Sequence, residues 1–132
     1  MPRVSYAFFS LAAACGLCGM VWGLWMGATE KMGTYPAHAH LNAVGFLGLS
    51  AMGAFHALAG GSVPRLLAWA NFWLSGVGAV MLPVGIALIV AGHPGATPLA
   101  IVGGMLALAG IACFLGSILI GWSRSAHVLT IR

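Results

Sequence analysis

The sequence predicts an all-α integral membrane protein, built as a bundle of four transmembrane helices. Of its 132 residues, 61% are hydrophobic and only 5% are charged, whereas soluble domains carry about 25% charged residues. Four apolar stretches are each long enough to cross a bilayer, which requires about 20 residues per helix. We place these helices at about residues 4–27, 36–59, 66–90 and 97–122, within a single transmembrane domain of residues 1–132.

Turn-forming residues separate the predicted helices in order along the chain. Residues 29–33 connect the first pair, residues 60–65 the second and residues 92–95 the third, and each connection contains glycine. Pro36 and Pro64 stand where a helix can begin without losing a backbone hydrogen bond. The connections are short, so consecutive helices are expected to run antiparallel.

The few charged residues predict an orientation in the membrane. Four arginines fall on one side of the predicted stack: Arg3, Arg65, Arg124 and Arg132. The other side carries Lys31 next to Glu30. The positive-inside rule therefore predicts that both termini are cytoplasmic, with the chain in a bacterial inner membrane. The cations are too scattered to form a nucleic-acid-binding surface, so no nucleic acid is expected as a partner.

Two histidines lie near the outer end of the second predicted helix, in the segment His38-Ala39-His40. A polar side chain at membrane depth is a functional candidate by default. Imidazole is also a common metal ligand, and two such rings can hold a haem iron from opposite faces. The structural alternative is that these histidines cap the helix, extend to the headgroups or bond a neighbouring helix.

The helical period separates the two histidines onto different faces. The face that starts at His38 continues through Asn42, Gly45, Leu49, Met52 and His56. We expect it to point into the bundle, with Gly45 leaving room for a flat ring. His40 points about 200° away from His38, so one helix cannot easily direct both rings onto a single iron. Several copies of the helix could instead supply ligands in pairs.

The segment from His38 to Phe46 reads His-Ala-His-Leu-Asn-Ala-Val-Gly-Phe, and it resembles the second helix of the catalytic subunit of haem–copper oxidases and nitric oxide reductases. The resemblance implies that His38 is an axial ligand of a low-spin haem. His38-Ala39-His40 is also similar to the His-x-His pair of that family's tenth helix, which serves both haems. The family's twelve helices form three arcs of four around a pseudo-threefold axis. The resemblance therefore implies that this chain matches one arc and assembles as a homotrimer, with a dimer as the main competitor.

The resemblance also assigns roles to the outer side. Lys31, Tyr35 and His93 are the residues there that could replace the arginines with which the family holds haem propionates. His93 could also supply a second axial ligand within one chain. The third and fourth predicted helices contain no histidine, so a single chain has no residues for the family's copper site. We expect haem b, with iron held by His38 and His40.

Several functions remain open at this stage. Two imidazole ligands saturate iron, which favours electron transfer or the sensing of redox state or a gas, with an electron-donor protein or a quinol as partner. The alternatives are a miniature oxidase or nitric oxide reductase-like enzyme, a copper- or zinc-binding protein, and a haem-free assembly subunit. His56, about 27 Å along the helix from His38, is interpreted as a residue that extends to the headgroups beside Arg65, or else as a second site. Cys15 and Cys18 have the spacing of a redox dithiol but are interpreted as packing residues, because hydrocarbon opposes thiolate formation.

Overall fold

The computed structural model describes the backbone of residues 1–129 and the side chains of residues 1–124, so Arg132 lies outside the described residues. Helix α1 comprises Arg3–Thr29, and the second span, Met32–Ala59, contains helices α2 (Tyr35–His40) and α3 (Leu49–Ala59). Helix α4 comprises Arg65–Val90, and α5 comprises Thr97–Leu129. These elements give four spans long and apolar enough to cross a membrane. The predicted all-α class with four long apolar helices is confirmed, with no strand among the described residues.

The second span is not the continuous α-helix that the sequence predicts. A π-helix occupies Leu41–Gly48, directly after His40. Asn42 supplies a physical reason, because its side-chain Nδ2 donates to the His38 carbonyl at 3.0 Å. In an α-helix that carbonyl would accept the backbone N–H of Asn42 itself. Side chains that bond nearby backbone groups compete with the helical ladder, and π segments recur at functional sites.

Helix α1 packs antiparallel to the second span through glycines that face larger side chains. The contacts join three glycines of α1 to three residues of the second span: Gly16 to Phe46, Gly19 to Asn42 and Gly23 to His38. Gly53 of α3 faces Phe8 of α1 in the same way. Small residues allow such close approach between membrane helices. The polar face of the second span is therefore held directly against α1.

Helices α4 and α5 approach each other even more closely. A Cβ built on Gly85 would lie 2.7 Å from the Cα of Ala100, and one on Gly103 would lie 2.9 Å from the Cα of Leu82. Gly78 similarly faces the backbone of Ala107. Because backbone rather than flexible side chain stands opposite each glycine, these positions fix the spacing of the two helices.

The arginines of the described residues gather at one end of the bundle. Arg3 begins α1 and Arg65 begins α4, while Arg124 Nη1 donates to the carbonyl of Ser62 at 2.9 Å. Glu30 and Lys31 lie in the connection at the opposite end. We call these the arginine end and the lysine end. Large apolar side chains are exposed on the outside of the bundle between the two ends, with Leu17 61% and Leu108 69% exposed, as suits a surface that faces lipid.

Candidate functional site

The first candidate site is built around His38, in α2 near the lysine end. Its ring is half-buried and lies across Gly23 of α1, where a Cβ would stand only 3.0 Å from His38 Cε1. The ring of Tyr35 lies 6.3 Å from it, centroid to centroid, at a tilt of 41°. The imidazole occupies space that exists because residue 23 has no side chain.

Asn42 connects His38 to the backbone around it. Its Nδ2 donates to the His38 carbonyl and lies 3.3 Å from both ring nitrogens, Nδ1 and Nε2. Gly19 leaves room for this amide, because a Cβ there would overlap the amide atoms. The ring contact is longer than usual for a hydrogen bond, so it orients the imidazole without holding it tightly.

His40 faces away from His38 and Asn42 and is exposed on the outside of the bundle. Its Nδ1 lies 2.7 Å from the carbonyl oxygen of Pro36. A carbonyl only accepts, so Nδ1 carries the proton and donates it, which leaves the lone pair on Nε2. Histidines that ligate metals are commonly oriented in this way, with the other ring nitrogen bonded to a carbonyl. The exposed Nε2 is thus available to a group outside its own chain.

An open groove runs along the half of α1 nearest the lysine end. It is shallow and open, and all the residues that line it belong to α1: Met20, Gly23, Leu24, Gly27 and Ala28. Gly23 belongs to both features, because it lines the groove and contacts the ring of His38. No atom lies within 4 Å of the position of a Cβ on Gly27. The two glycines leave a smooth apolar floor beside an imidazole.

Gly45, Lys31 and His93 are also predicted to belong to the haem site, and the structure shows what surrounds each of them. The space beside Gly45 is filled by Cys15, whose Sγ lies 3.0 Å from the position of a Cβ on that glycine, so the expectation of room for a flat ring there is wrong. Lys31 and His93 are both exposed in connections at the lysine end. Among the residues whose placement is described, no group of three or more His, Cys, Asp or Glu could hold a metal ion.

His56 forms a second polar centre that sequence reasoning misjudged. It is 2% exposed and does not extend to the headgroups as the favoured interpretation held. Asn71 Nδ2 lies 3.1 Å from His56 Nε2, and the Ser75 hydroxyl donates to Asn71 Oδ1 at 3.0 Å. His56 is buried because aromatic rings enclose its imidazole. The ring of Phe8 is stacked on it, with 5.5 Å between the ring centroids. In the sequence, the polar cluster could have been recognised from Asn71 and Ser75, which lie four residues apart and therefore on one face of their helix.

Cys15 and Cys18 are not joined by a disulfide. Cys15 and Cys18 are both free thiols, with Cys15 buried and Cys18 exposed. Because Cys15 fills the space beside Gly45, its role in the fold is packing, as the sequence indicates.

Comparison of the chain with protein-family models, curated proteins and solved structures finds no match. The similarity to haem–copper oxidases therefore remains a prediction from the short segment around His38.

Proposed function

We propose that this chain is a b-type haem-binding membrane protein related to subunit I of the haem–copper oxidases, with iron held by His38 of one copy and His40 of another. One observation carries the proposal. His38 adjoins a glycine-floored apolar groove, while His40 presents a free Nε2 lone pair at the outer surface. The two rings serve opposite sides of one helix, so each copy offers one ligand to each neighbour.

The donor set fits haem b without further ligands. Gly23 and Gly27 provide a flat apolar surface, and Tyr35 and Lys31, which precede His38 in the chain, would contact the propionates. Ligation requires the His38 ring to turn from the Asn42 amide, and the 3.3 Å separation makes that contact a weak constraint. A bound haem would supply a one-electron carrier, and two imidazoles would leave no open position on its iron.

The same geometry favours a ring of identical chains. Because the rings of His38 and His40 diverge, residue 38 of one copy and residue 40 of the next meet most readily across a heterologous interface, which forms a ring where its rotation closes. The resemblance to one arc of a twelve-helix subunit selects three copies, and a twofold dimer is the main alternative. The function that follows is electron transfer or the sensing of redox state or a gas, with an electron-donor protein or a quinol as partner.

We also infer that both termini are cytoplasmic in a bacterial inner membrane. Arg3, Arg65 and Arg124 lie at one end of the bundle, and Lys31 beside Glu30 lies at the other. This asymmetry follows the positive-inside rule. The haem would then lie nearer the periplasmic face of the membrane than the cytoplasmic face.

The proposal is tested with full-length protein, purified from haem-supplied cells in a mild detergent. We expect non-covalent haem with the sharp reduced bands of six-coordinate low-spin iron. His38→Ala should abolish haem binding, and His40→Ala should leave five-coordinate iron that binds carbon monoxide. His56→Ala is the control, because it removes a histidine about 27 Å along the helix from His38 and should retain the haem.

Three results would contradict the proposal or redirect it. Stoichiometric copper or zinc without haem absorbance would indicate a metal-handling protein instead. Unliganded protein that retains its fold and assembly in haem-supplied cells would indicate an interaction subunit. Haem in the wild type with an open position and turnover of oxygen or nitric oxide would favour the enzyme alternative.

A further inference from the structure

A cavity at the arginine end is separate from the haem site proposed above. It has a volume of about 510 Å³ and is lined by both helix-starting arginines, Arg3 and Arg65, together with His56, Trp69 and the loop that contains Gly60 and Gly61. The candidate haem groove lies on the half of α1 nearest the opposite end. The cavity therefore requires its own explanation.

His56 lines this cavity and has one ring nitrogen that can donate a hydrogen bond. Ser75 donates to Asn71 Oδ1, so the Asn71 amide group is directed at His56 Nε2. Nε2 then accepts, and the proton of the neutral imidazole is on Nδ1. No hydrogen bond to Nδ1 is formed within the described part of the chain, and His56 is among the residues that line the cavity. This N–H is therefore free to donate to a ligand in the cavity.

The electrostatics of the cavity are one-sided. Two arginines line it, and the sequence contains a single acidic residue, Glu30, which lies at the lysine end. The first turns of α1 and α4 begin at Pro2 and Pro64 without a side-chain cap, and helix N-termini carry partial positive charge. The side chains of Asp and Glu therefore supply no counter-ion at this end.

We propose that this cavity binds a phosphate-type anion, held by Arg3, Arg65 and the Nδ1–H of His56. Arginine suits this ligand because its planar fork bonds phosphate oxygens in pairs. The cavity lies at one end of a bundle that is long and apolar enough to cross a membrane. The phosphate could accordingly belong to an anionic lipid headgroup or to a free anion, and the two sources can be separated experimentally.

The lipid arm of the test uses the full-length protein in nanodiscs of mixed phosphatidylglycerol and phosphatidylcholine. After transfer to a mild detergent, native mass spectrometry counts the lipids that remain bound. We expect one phosphatidylglycerol per chain to be retained in preference to phosphatidylcholine, whose phosphate carries a compensating cation. The phosphate arm titrates lipid-free protein with inorganic phosphate in a calorimeter, and binding there without lipid retention would identify a free anion.

Variants assign the binding to this cavity. The double variant Arg3→Gln/Arg65→Gln should lower retention or affinity about tenfold or more, as expected when charged hydrogen bonds are lost. Arg124→Gln is the matched control, because it removes one positive charge at the same end from a residue that does not line the cavity. Lys31→Gln controls for charge at the other end. Circular dichroism confirms that each variant remains folded.

Several outcomes would overturn the proposal. The first is equal retention of the two lipids combined with no phosphate binding. The second is unchanged binding in the Arg3→Gln/Arg65→Gln variant. The third is a loss of binding in Arg124→Gln as large as that in the double variant. Failure here leaves the haem proposal standing, because its test reads the visible spectrum of a site nearer the opposite end of α1.

Discussion

His38 lies across Gly23, and a methyl group at residue 23 would stand 3.0 Å from His38 Cε1. This relationship joins the second span to α1 where the groove on α1 begins. It also makes the glycine a position at which the proposed haem site can be altered without changing a ligand.

Filling the groove at residue 23 should remove the haem. In Gly23→Leu the new side chain would occupy the groove floor and displace the His38 ring, so we expect haem content to fall to background. Absorbance of the purified protein measures this. Gly116→Leu is the control, because no atom lies within 4 Å of a Cβ at that glycine. A Gly23→Leu protein with the wild-type spectrum would place the haem elsewhere.

Assembly should be required for six-coordinate iron. Neither His38→Ala nor His40→Ala should give the six-coordinate spectrum alone. When the two variants are expressed together, part of the six-coordinate spectrum should return. A ring interface can then pair the His38 of a His40→Ala chain with the His40 of a His38→Ala chain. Native mass spectrometry should show three copies, or two for the competing dimer. A monomer that keeps six-coordinate haem would point to His93 as the second ligand.

The orientation is expected to follow the arginines. Green fluorescent protein fused after Arg132 should fluoresce, and alkaline phosphatase at the same position should be inactive. Fusions made after Gly92, in the connection between α4 and α5, should give the reverse pattern. Active phosphatase after Arg132 would invert the topology and place the proposed haem site at the cytoplasmic face.

A buried hydroxyl offers a prediction about stability. Ser5 is 0% exposed, and its Oγ is the single buried side-chain polar atom without a partner among the described residues. Ser5→Ala should raise the free energy of unfolding by about 1 kcal/mol, because an unsatisfied buried group is removed. Thermal unfolding in detergent, with helicity as the signal, measures the change.

Ser117→Ala is the matched comparison for Ser5. Ser117 is also 0% exposed, but its hydroxyl donates to the Cys113 carbonyl at 2.9 Å. The same substitution there should lower stability by roughly 0.5–1.5 kcal/mol. Equal shifts in the two variants would mean that hydrogen bonding at Ser5 does not explain its effect.

The face of the second span that points into the bundle could be recognised from the sequence. Gly45, Leu49, Met52 and His56 are all buried, while Leu47, Ala51, Ala54 and Leu58 on the His40 side are exposed. The helical period carried this prediction even though a π-helix interrupts the span. The interruption was not predicted, because the side chain and the backbone N–H of Asn42 compete as donors for the same His38 carbonyl, and the helical period does not say which one bonds.

The detailed contacts of the site could not be read from the chain. Gly45 and Gly23 are both small residues on faces that pack, but Cys15 fills the space beside the first, whereas the second lies beside an open groove. Which glycine leaves room depends on the neighbour that another helix places opposite it. A periodic pattern within one helix contains no information about that neighbour.

The sequence by itself determined the four spans and the connections between them, because the transfer of an apolar segment into lipid depends on the length and composition of that segment. It also determined that His38 and His40 diverge, because the helical period is local. Only the tertiary structure decided that Asn71 holds His56 inside the bundle and that Arg3 and Arg65 share a cavity with it. Each of these arrangements brings together side chains from different helices, and their packing fixes distances that no single helix specifies.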